Sequence, residues 1–439
     1  MKNKFLKKHL SILSIILLSF LGIIFLGSFL LMLPISQQNE GLTYINALFL
    51  STSAVCVTGL SPVSDLSNSL TIFGRIIFSL LIEVGGLGIV SIVMFIAILF
   101  GFKISFSQRN IIKESLNQDK LGGIVLLLKR IVLLALSIQF IGFILNFIDL
   151  YFIFKYPFLD ALGFSLFHAI SSFNNAGFDL FGSSSLIGFS NHYLLLFSTC
   201  LMIFLGGLGF IVIFDVTDKK SFRKLTLHSK VIITTTIILL IVSSILYKLF
   251  SPNISLTNCI FMAFSTRTAG FAIFNMNELS TASYILTLFL MFIGAGPSST
   301  AGGIKVSTLF ALIICFKSFA TGKNECIAFK RKISQEQITK AFVLTTFAFT
   351  FICILTICIS LNESNSFQEI LFEVISGFGT VGLSYGITPS LKTISKLILC
   401  LAMYVGRLGP ITFISLFQKE SKILTKDKVG YVEENIIIG

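Results

Sequence analysis

Residues 45–61 read INALFLSTSAVCVTGLS, and three later stretches repeat their form: LFHAISSFNNAGFDLF at 166–181, NCIFMAFSTRTAGFAIF at 258–274 and ILFEVISGFGTVGLSYG at 370–386. Each reads as a short apolar helix ending in Ser or Phe. A turn follows, built of Thr or Asn, in most cases a small residue, then glycine and an apolar residue. The turn glycines Gly59, Gly177, Gly270 and Gly382 lie 118, 93 and 112 residues apart. A second motif follows, its first glycine 24 to 29 residues after each: VGGLGIV, LGGLGFI, IGAGPSS and VGRLGPI. Two motifs recurring four times in one order mark an internal repeat.

The composition fixes where such repeats sit. Of 439 residues, 54% are apolar and only 12% charged, with a mean hydropathy of +0.93; soluble domains carry about 25% charged residues. Runs of about 20 apolar residues, enough to span a bilayer, recur along the chain. Residues 11–33 are too long for a signal-peptide core and lack a small-residue cleavage site, so they read as a retained helix. The net charge of +13 would suggest nucleic acid in a soluble protein. Here 25 of the 33 Lys and Arg fall in segments 2–8, 103–130, 219–230, 317–340 and 419–428. That is the positive-inside pattern, with all five clusters and both termini cytoplasmic. It calls for a lipid bilayer as partner and for no nucleic acid. Lys2, Lys4, Lys7 and Lys8 also suit an anionic lipid surface.

Between basic clusters the chain must leave the cytoplasm and return. The expected spans are 11–33 and 72–100, 126–151 and 192–216, 231–250 and 282–318, and 338–361 and 390–417. The quoted apolar runs between the members of each pair, about a dozen residues each, are too short to cross. The expected fold is all-α and polytopic: eight spanning helices and four re-entrant pore helices, arranged as four tandem helix–pore loop–helix units around one central pore. The units cover 1–101, 102–218, 219–322 and 323–418, with a cytoplasmic tail at 419–439.

A half-spanning helix that ends at mid-membrane leaves its last carbonyls unpaired, so its loop must face protein or water. Entering from outside, it aims the negative end of its dipole at the centre, which favours a cation. Glycine lets the next backbone turn its carbonyls inward. Four such loops around an axis make rings of oxygens able to replace a cation's hydration shell. The candidate filter triplets are Val57-Thr58-Gly59, Asn175-Ala176-Gly177, Thr268-Ala269-Gly270 and Thr380-Val381-Gly382. None holds a carboxylate, which argues against a divalent-cation ring and for a backbone site for a monovalent cation.

SAVCVTGLS, FNNAGFD, TRTAGF and FGTVGLS resemble the four pore loops of the Trk/Ktr/HKT superfamily of potassium transporters. The likeness covers nearly the whole chain, and the ending YVEENIIIG is similar to the tail of KtrB-type membrane subunits. Trk-type subunits usually carry a further helix pair ahead of the first pore loop, which here begins near Ile45 after a single span. The resemblance implies K⁺ uptake across a bacterial cytoplasmic membrane, with Na⁺ as a candidate coupling ion. It also implies a homodimer and a cytoplasmic nucleotide-binding regulatory ring, KtrA-like, as partner. Each loop keeps one glycine where potassium channels carry TVGYG, so K⁺/Na⁺ symport and a Na⁺-permeable member of the superfamily stay open as alternatives.

The stretch GAGPSSTAGGIK at 294–305 reads as a break in the second helix of the third unit alone. Freed backbone there is tolerated only against water or buried protein. Gly294, Gly296, Pro297, Ser298, Ser299, Thr300, Gly302, Gly303 and Lys305 are therefore read as a movable plug below the filter, with the glycines supplying motion. The stretch lacks phosphate-loop spacing, so it is not a nucleotide site. Arg407 lies mid-helix in MYVGRLGPITF, where a charge costs at least ~2.5–3.5 kcal/mol. It reads either as an electrostatic barrier or as the partner of Glu373. Glu83 and Arg267 read as structural, and the GGLG pairs as helix packing or flexible points. The eight cysteines form no C-x-x-C pair, and His9, His168, His192 and His228 have no metal-ligand spacing. With no paired carboxylates or nucleophile at working spacing, an enzyme is not expected, nor any cofactor beyond transported K⁺ and candidate Na⁺.

Overall fold

A computed structural model describes residues 12–38, 41–116, 121–182, 185–323 and 325–409. The basic N-terminus, the end of the last expected span and the tail from 419 onward lie outside the described residues. The first unit comprises α1 (Ile12–Met32), α2 (Tyr44–Val55), the single turn α3 (Leu66–Ser69), α4 (Ile72–Leu87) and α5 (Ile89–Leu99). A connecting helix, α6 (Phe106–Ser115), leads to the second unit: α7 (Ile124–Ile148), α8 (Phe158–Phe173), α9 (Tyr193–Leu208) and α10 (Phe210–Lys219). The third holds α11 (Leu227–Phe250), α12 (Leu256–Ser265), α13 (Thr281–Phe292) and α14 (Val306–Ala320). A small hairpin, β1 (Ile327–Ala328) and β2 (Arg331–Lys332), precedes α15 (Gln335–Ser360), α16 (Phe367–Gly379) and α17 (Thr393–Leu408) of the fourth.

This is a multi-pass helical membrane protein. The first helix of every unit, α1, α7, α11 and α15, is long and apolar enough to cross a bilayer unaided. The short helices expected as pore helices, α2, α8, α12 and α16, have 12, 16, 10 and 13 residues. At 1.5 Å per residue they reach only ~15–24 Å, short of a ~30 Å hydrocarbon core. Three start on a side-chain cap: Thr43 accepts from Asn46, Ser255 from Asn258, and Ser366 forms a reciprocal box with Glu369. Such caps satisfy amide groups in the first turn. The C-terminal ends of the four helices run into the four glycine loops, whose backbone amides turn back onto last-turn carbonyls.

The second helices depart from expectation. The sequence reading broke only the third; the structure breaks all three that continue within the described residues. Helices α4 and α5 meet at 101° and α9 and α10 at 93°, pivoting on Gly88 (φ 85) and Gly209 (φ 93). Helix α17 stops at Gly409 (φ 84), the matching position. Each pivot closes a Gly-x-Leu-Gly run whose last glycine adopts a left-handed conformation that L side chains resist. The surrounding residues are as apolar as any span, so hydropathy hides the break.

Each second helix packs on the pore helix of the next unit: α4 on α8, α9 on α12, α13 on α16, and α17 back on α2. The four units thus close into a ring. Inside it, the earlier glycines of the second motif allow close approach. A Cβ on Gly85, Gly206 or Gly406 would overlap the carbonyl oxygen of Val55, Phe173 or Phe378, each in the last turn of the unit's own pore helix. Gly85→Ala is therefore expected to lower stability by about 1–3 kcal/mol through overpacking, measured as the melting midpoint of purified protein.

Candidate functional site

The four pore loops share one backbone conformation. Val57, Asn175, Thr268 and Thr380 have φ of 56, 57, 75 and 50°, and the glycines two residues on have φ of 100, 71, 74 and 99°. Four non-glycine residues held left-handed at one repeated position mark a constrained site. The loops also touch in cyclic order. A Cβ on Gly59 would lie 2.7 Å from Ala176 O, and one on Gly177 would lie 2.6 Å from Ala269 O. On Gly270 and Gly382 it would overlap Val381 O and Thr58 O. The middle carbonyl of each triplet therefore rests against the glycine of a neighbouring loop, closing a ring of Thr58, Ala176, Ala269 and Val381. All twelve triplet residues named from the sequence come together here.

Serines that the sequence reading passed over hold this ring. Ser53, Ser171 and Ser376 each accept the amide of a middle triplet residue on their carbonyls, at 2.8, 2.8 and 2.9 Å, and Ser265 accepts those of Ala269 and Gly270. Side chains add to this: the Ser171 hydroxyl accepts from Phe178 N and the Ser376 hydroxyl from Gly382 N, both at 3.0 Å, while Ser265 donates to Phe271 O. The available signal was a serine six residues before the glycine, five in the third unit.

On one side of the ring a cavity of about 320 Å³ opens, lined by the four glycines, Asp179 and Tyr385 among others. Asp179 accepts from Phe181 N and Ser185 Oγ at 3.1 and 2.6 Å. Burial pushes its carboxyl up to about 6; those two hydrogen bonds oppose the rise, and nearby Asp65 adds to it. The sequence reading quoted Asp179 in FNNAGFD without giving it a role. Among the described residues no three His, Cys, Asp or Glu side chains converge as a metal site.

Residues 293–305 pack against two of these loops. This segment is tethered throughout. Gly294 N donates to Ile304 O, Gly296 N to Gly207 O, and Thr300 N to Gly206 O. Phe210 N donates to Ser298 O, and Gly303 N to Gly406 O. Its side chains and backbone reach two of the four loops: Asn175 Nδ2 donates to Thr300 Oγ1 at 3.2 Å, and Gly302 N to Thr380 Oγ1 at 3.0 Å. Lys305 Nζ folds back on Ala301 O at 2.7 Å and Gly302 O at 3.3 Å. The glycines allow close contact: a Cβ on Gly294 would overlap Gly302 O, one on Gly302 would overlap Thr380 Oγ1, and one on Gly296 would lie 2.5 Å from Leu208 O.

Arg407 joins this segment to the first unit, and not as an ion pair. Its guanidinium donates to Thr300 O in the loop and to Gly85 O and Gly86 O at the first unit's hinge. Glu373, the partner weighed from sequence, instead accepts from Ser384 Oγ, Tyr385 N and Thr388 Oγ1. Those groups belong to its own loop, so the carboxylate is satisfied without a cation. Glu83 accepts from Gln139 and Asn174 and so ties α4 to α7 and α8. All eight cysteines are free thiols.

Residues 13–426 match the TrkH family, described as "Cation transport protein". The chain belongs to this family. A relative from Enterococcus hirae, the potassium/sodium uptake protein NtpJ, is 38% identical and aligns over 100% of this chain and 99% of its own length. The Ktr system potassium uptake proteins B of Bacillus subtilis and Vibrio alginolyticus are 36% and 35% identical, covering 92% and 97% of this chain and 92% and 94% of theirs. These TrkH-family relatives are transporters and not enzymes. The crystal structure of the potassium transporter TrkH from Vibrio parahaemolyticus superposes with a TM-score of 0.71 at 17% identity, over 95% of this chain and 86% of that one. That likeness carries the fold.

Proposed function

We propose that the chain carries K⁺ into a bacterial cell through a gated, channel-like pore in the cytoplasmic membrane. The observation that carries this reading is the closed ring of four loops, each laying a carbonyl against the preceding loop's glycine. Carbonyls from Val57, Thr58 and Gly59 and from the matching triplets replace the hydration shell of a monovalent cation. An inside-negative potential favours each cation by about 2.3 kcal/mol per 100 mV, roughly fifty-fold accumulation, so uptake needs no chemical step. The segment 294–305 and Arg407 form the gate below the filter. By the resemblance to Ktr-type transporters, the subunit pairs as a homodimer and its gate answers to a cytoplasmic nucleotide-binding ring, with both termini on that side. The test is growth of a potassium-uptake-deficient bacterium on low K⁺, with and without such a ring. Rescue supports the reading; no rescue by well-inserted protein under either condition overturns it.

A Na⁺-permeable or K⁺/Na⁺-coupled pore is the second reading. It is favoured by the Enterococcus relative's naming for both ions and by the single glycine in each filter loop. Tracer uptake of both ions in the same vesicles separates the two.

Asp179 gives the proposed outer mouth a pH dependence. Above about 6 its carboxylate is charged and draws cations towards the ring; below, it is neutral. The half-saturation concentration for K⁺ is expected to rise as external pH falls through about 6, and Asp179→Asn to abolish that dependence. Because its folded pKa is raised, ionisation costs stability above about 6, so the Asn variant should melt no lower than wild type at pH 7. A pH profile unchanged by the substitution would remove Asp179 from the mouth.

A further inference from the structure

Arg267 immediately precedes the third filter triplet and is 6% exposed. Its side chain makes no hydrogen bond or ion pair with any described residue, and its Nε is buried without an acceptor. A guanidinium stays charged in proteins, so burial does not neutralise it. Buried charges are otherwise paired. Among the described residues the neighbouring ionic side chains have partners: Arg407 and Lys305 on carbonyls, Glu83 and Glu373 on donors.

Arg267 lines a small cavity of about 20 Å³. The walls are Phe264 and Arg267 at the end of the third pore helix, Ile203, Phe204 and Gly207 of α9, Thr236 and Leu240 of α11, and Ala295 of the intramembrane segment. The volume suits one particle about the size of a water molecule. A second orphan points to the same place: the Thr236 hydroxyl is buried and has no hydrogen-bond partner. Both polar groups are able to donate, and the remaining walls are apolar. The C-terminal end of α12 supplies roughly half a negative charge nearby and so offsets part of the cation. A water would satisfy the donors and leave the rest of the charge. Sulfate and phosphate are too large.

We propose that this cavity is a buried binding site for one small monovalent anion, chloride in the cell, held by the Arg267 guanidinium and the Thr236 hydroxyl. The anion cancels the arginine's charge behind the filter, so that the arginine does not repel the transported cation. It also ties the third pore helix to α11 next to the intramembrane segment.

The test reads anion binding and does not depend on the transport reading. Full-length protein is melted in potassium chloride, potassium bromide and potassium gluconate at equal ionic strength, and crystals soaked in bromide are measured at the bromine edge. Expected are a saturable rise of the midpoint with chloride or bromide but not gluconate, and an anomalous peak between Arg267 and Thr236. Thr236→Val, which removes one donor, should weaken half-saturation about tenfold, in line with a hydrogen bond to a charged group. Arg267→Gln should abolish the dependence where it folds. Midpoints equal in chloride and gluconate, a bromide peak elsewhere only, or a dependence that Thr236→Val leaves untouched would each overturn the assignment.

Discussion

Serine in place of Gly382 is expected to raise the half-saturation concentration for K⁺ by at least about tenfold, with Gly270→Ser as severe and Gly59→Ser and Gly177→Ser milder. Two effects add. At φ 99° a side chain is strained whatever the space around it, at a cost of about 1–3 kcal/mol. The new Cβ would also overlap Thr58 O and lie 2.8 Å from Gly59 Cα. Thr58 O is itself a proposed ligand in the first loop, so damage done in the fourth loop appears in its neighbour. Each 1.4 kcal/mol of misplacement is a factor of ten in affinity. The ranking follows from space: the carbonyl facing Gly270 and Gly382 lies nearer than the one facing Gly59 and Gly177, at 2.7 and 2.6 Å. Gly22 and Gly163 have nothing within 4 Å of an added Cβ and serve as controls. K⁺ uptake by the four filter variants with wild-type affinity would mean that these carbonyls do not bind the ion.

The ring was legible because its signals are local. A short apolar run, a Thr or Asn and a glycine recur at Gly59, Gly177, Gly270 and Gly382, and each part has a backbone reason to be there. What the sequence concealed depends on packing across units. The bends at Gly88 and Gly209 sit in runs as apolar as any span, so hydropathy shows one helix where a positive φ makes two. Ser171 and Ser376 look like ordinary helix residues until the loop folds back onto them. Glu373 was a reasonable partner for Arg407 by charge, yet Ser384 and Thr388 lie on its own loop and reach it first. Gly302 looked like a point of mobility, and the adjoining Thr380 side chain shows it to be a point of contact.

Arg407→Ala should raise K⁺ flux through the subunit alone about tenfold, since each 1.4 kcal/mol removed from a barrier is a factor of ten. It should also cut the response to the regulatory ring. The arginine joins the intramembrane segment at Thr300 O to the first unit's hinge at Gly85 O and Gly86 O. Its removal frees the segment on one side and takes a positive charge from the proposed path. No carboxylate is left unpaired, so the stability cost should stay near 1–3 kcal/mol, that of lost hydrogen bonds to a charged donor, and below the 3–5 kcal/mol typical of a broken buried ion pair. Arg407→Lys separates charge from latch. Lysine keeps the charge but lacks the planar fork that reaches both sets of carbonyls. Low flux in the lysine variant would make Arg407 an electrostatic barrier; high flux would make it a mechanical latch. Wild-type flux and melting in Arg407→Ala would exclude both. Deleting residues 296–302 is the companion experiment, because it removes the tethers at Gly296, Thr300 and Gly302 together. Raised flux with weakened dependence on the partner is expected. A collapse of flux in protein that remains folded and inserted would show that these tethers brace the filter from below, and that the gate lies elsewhere along the path.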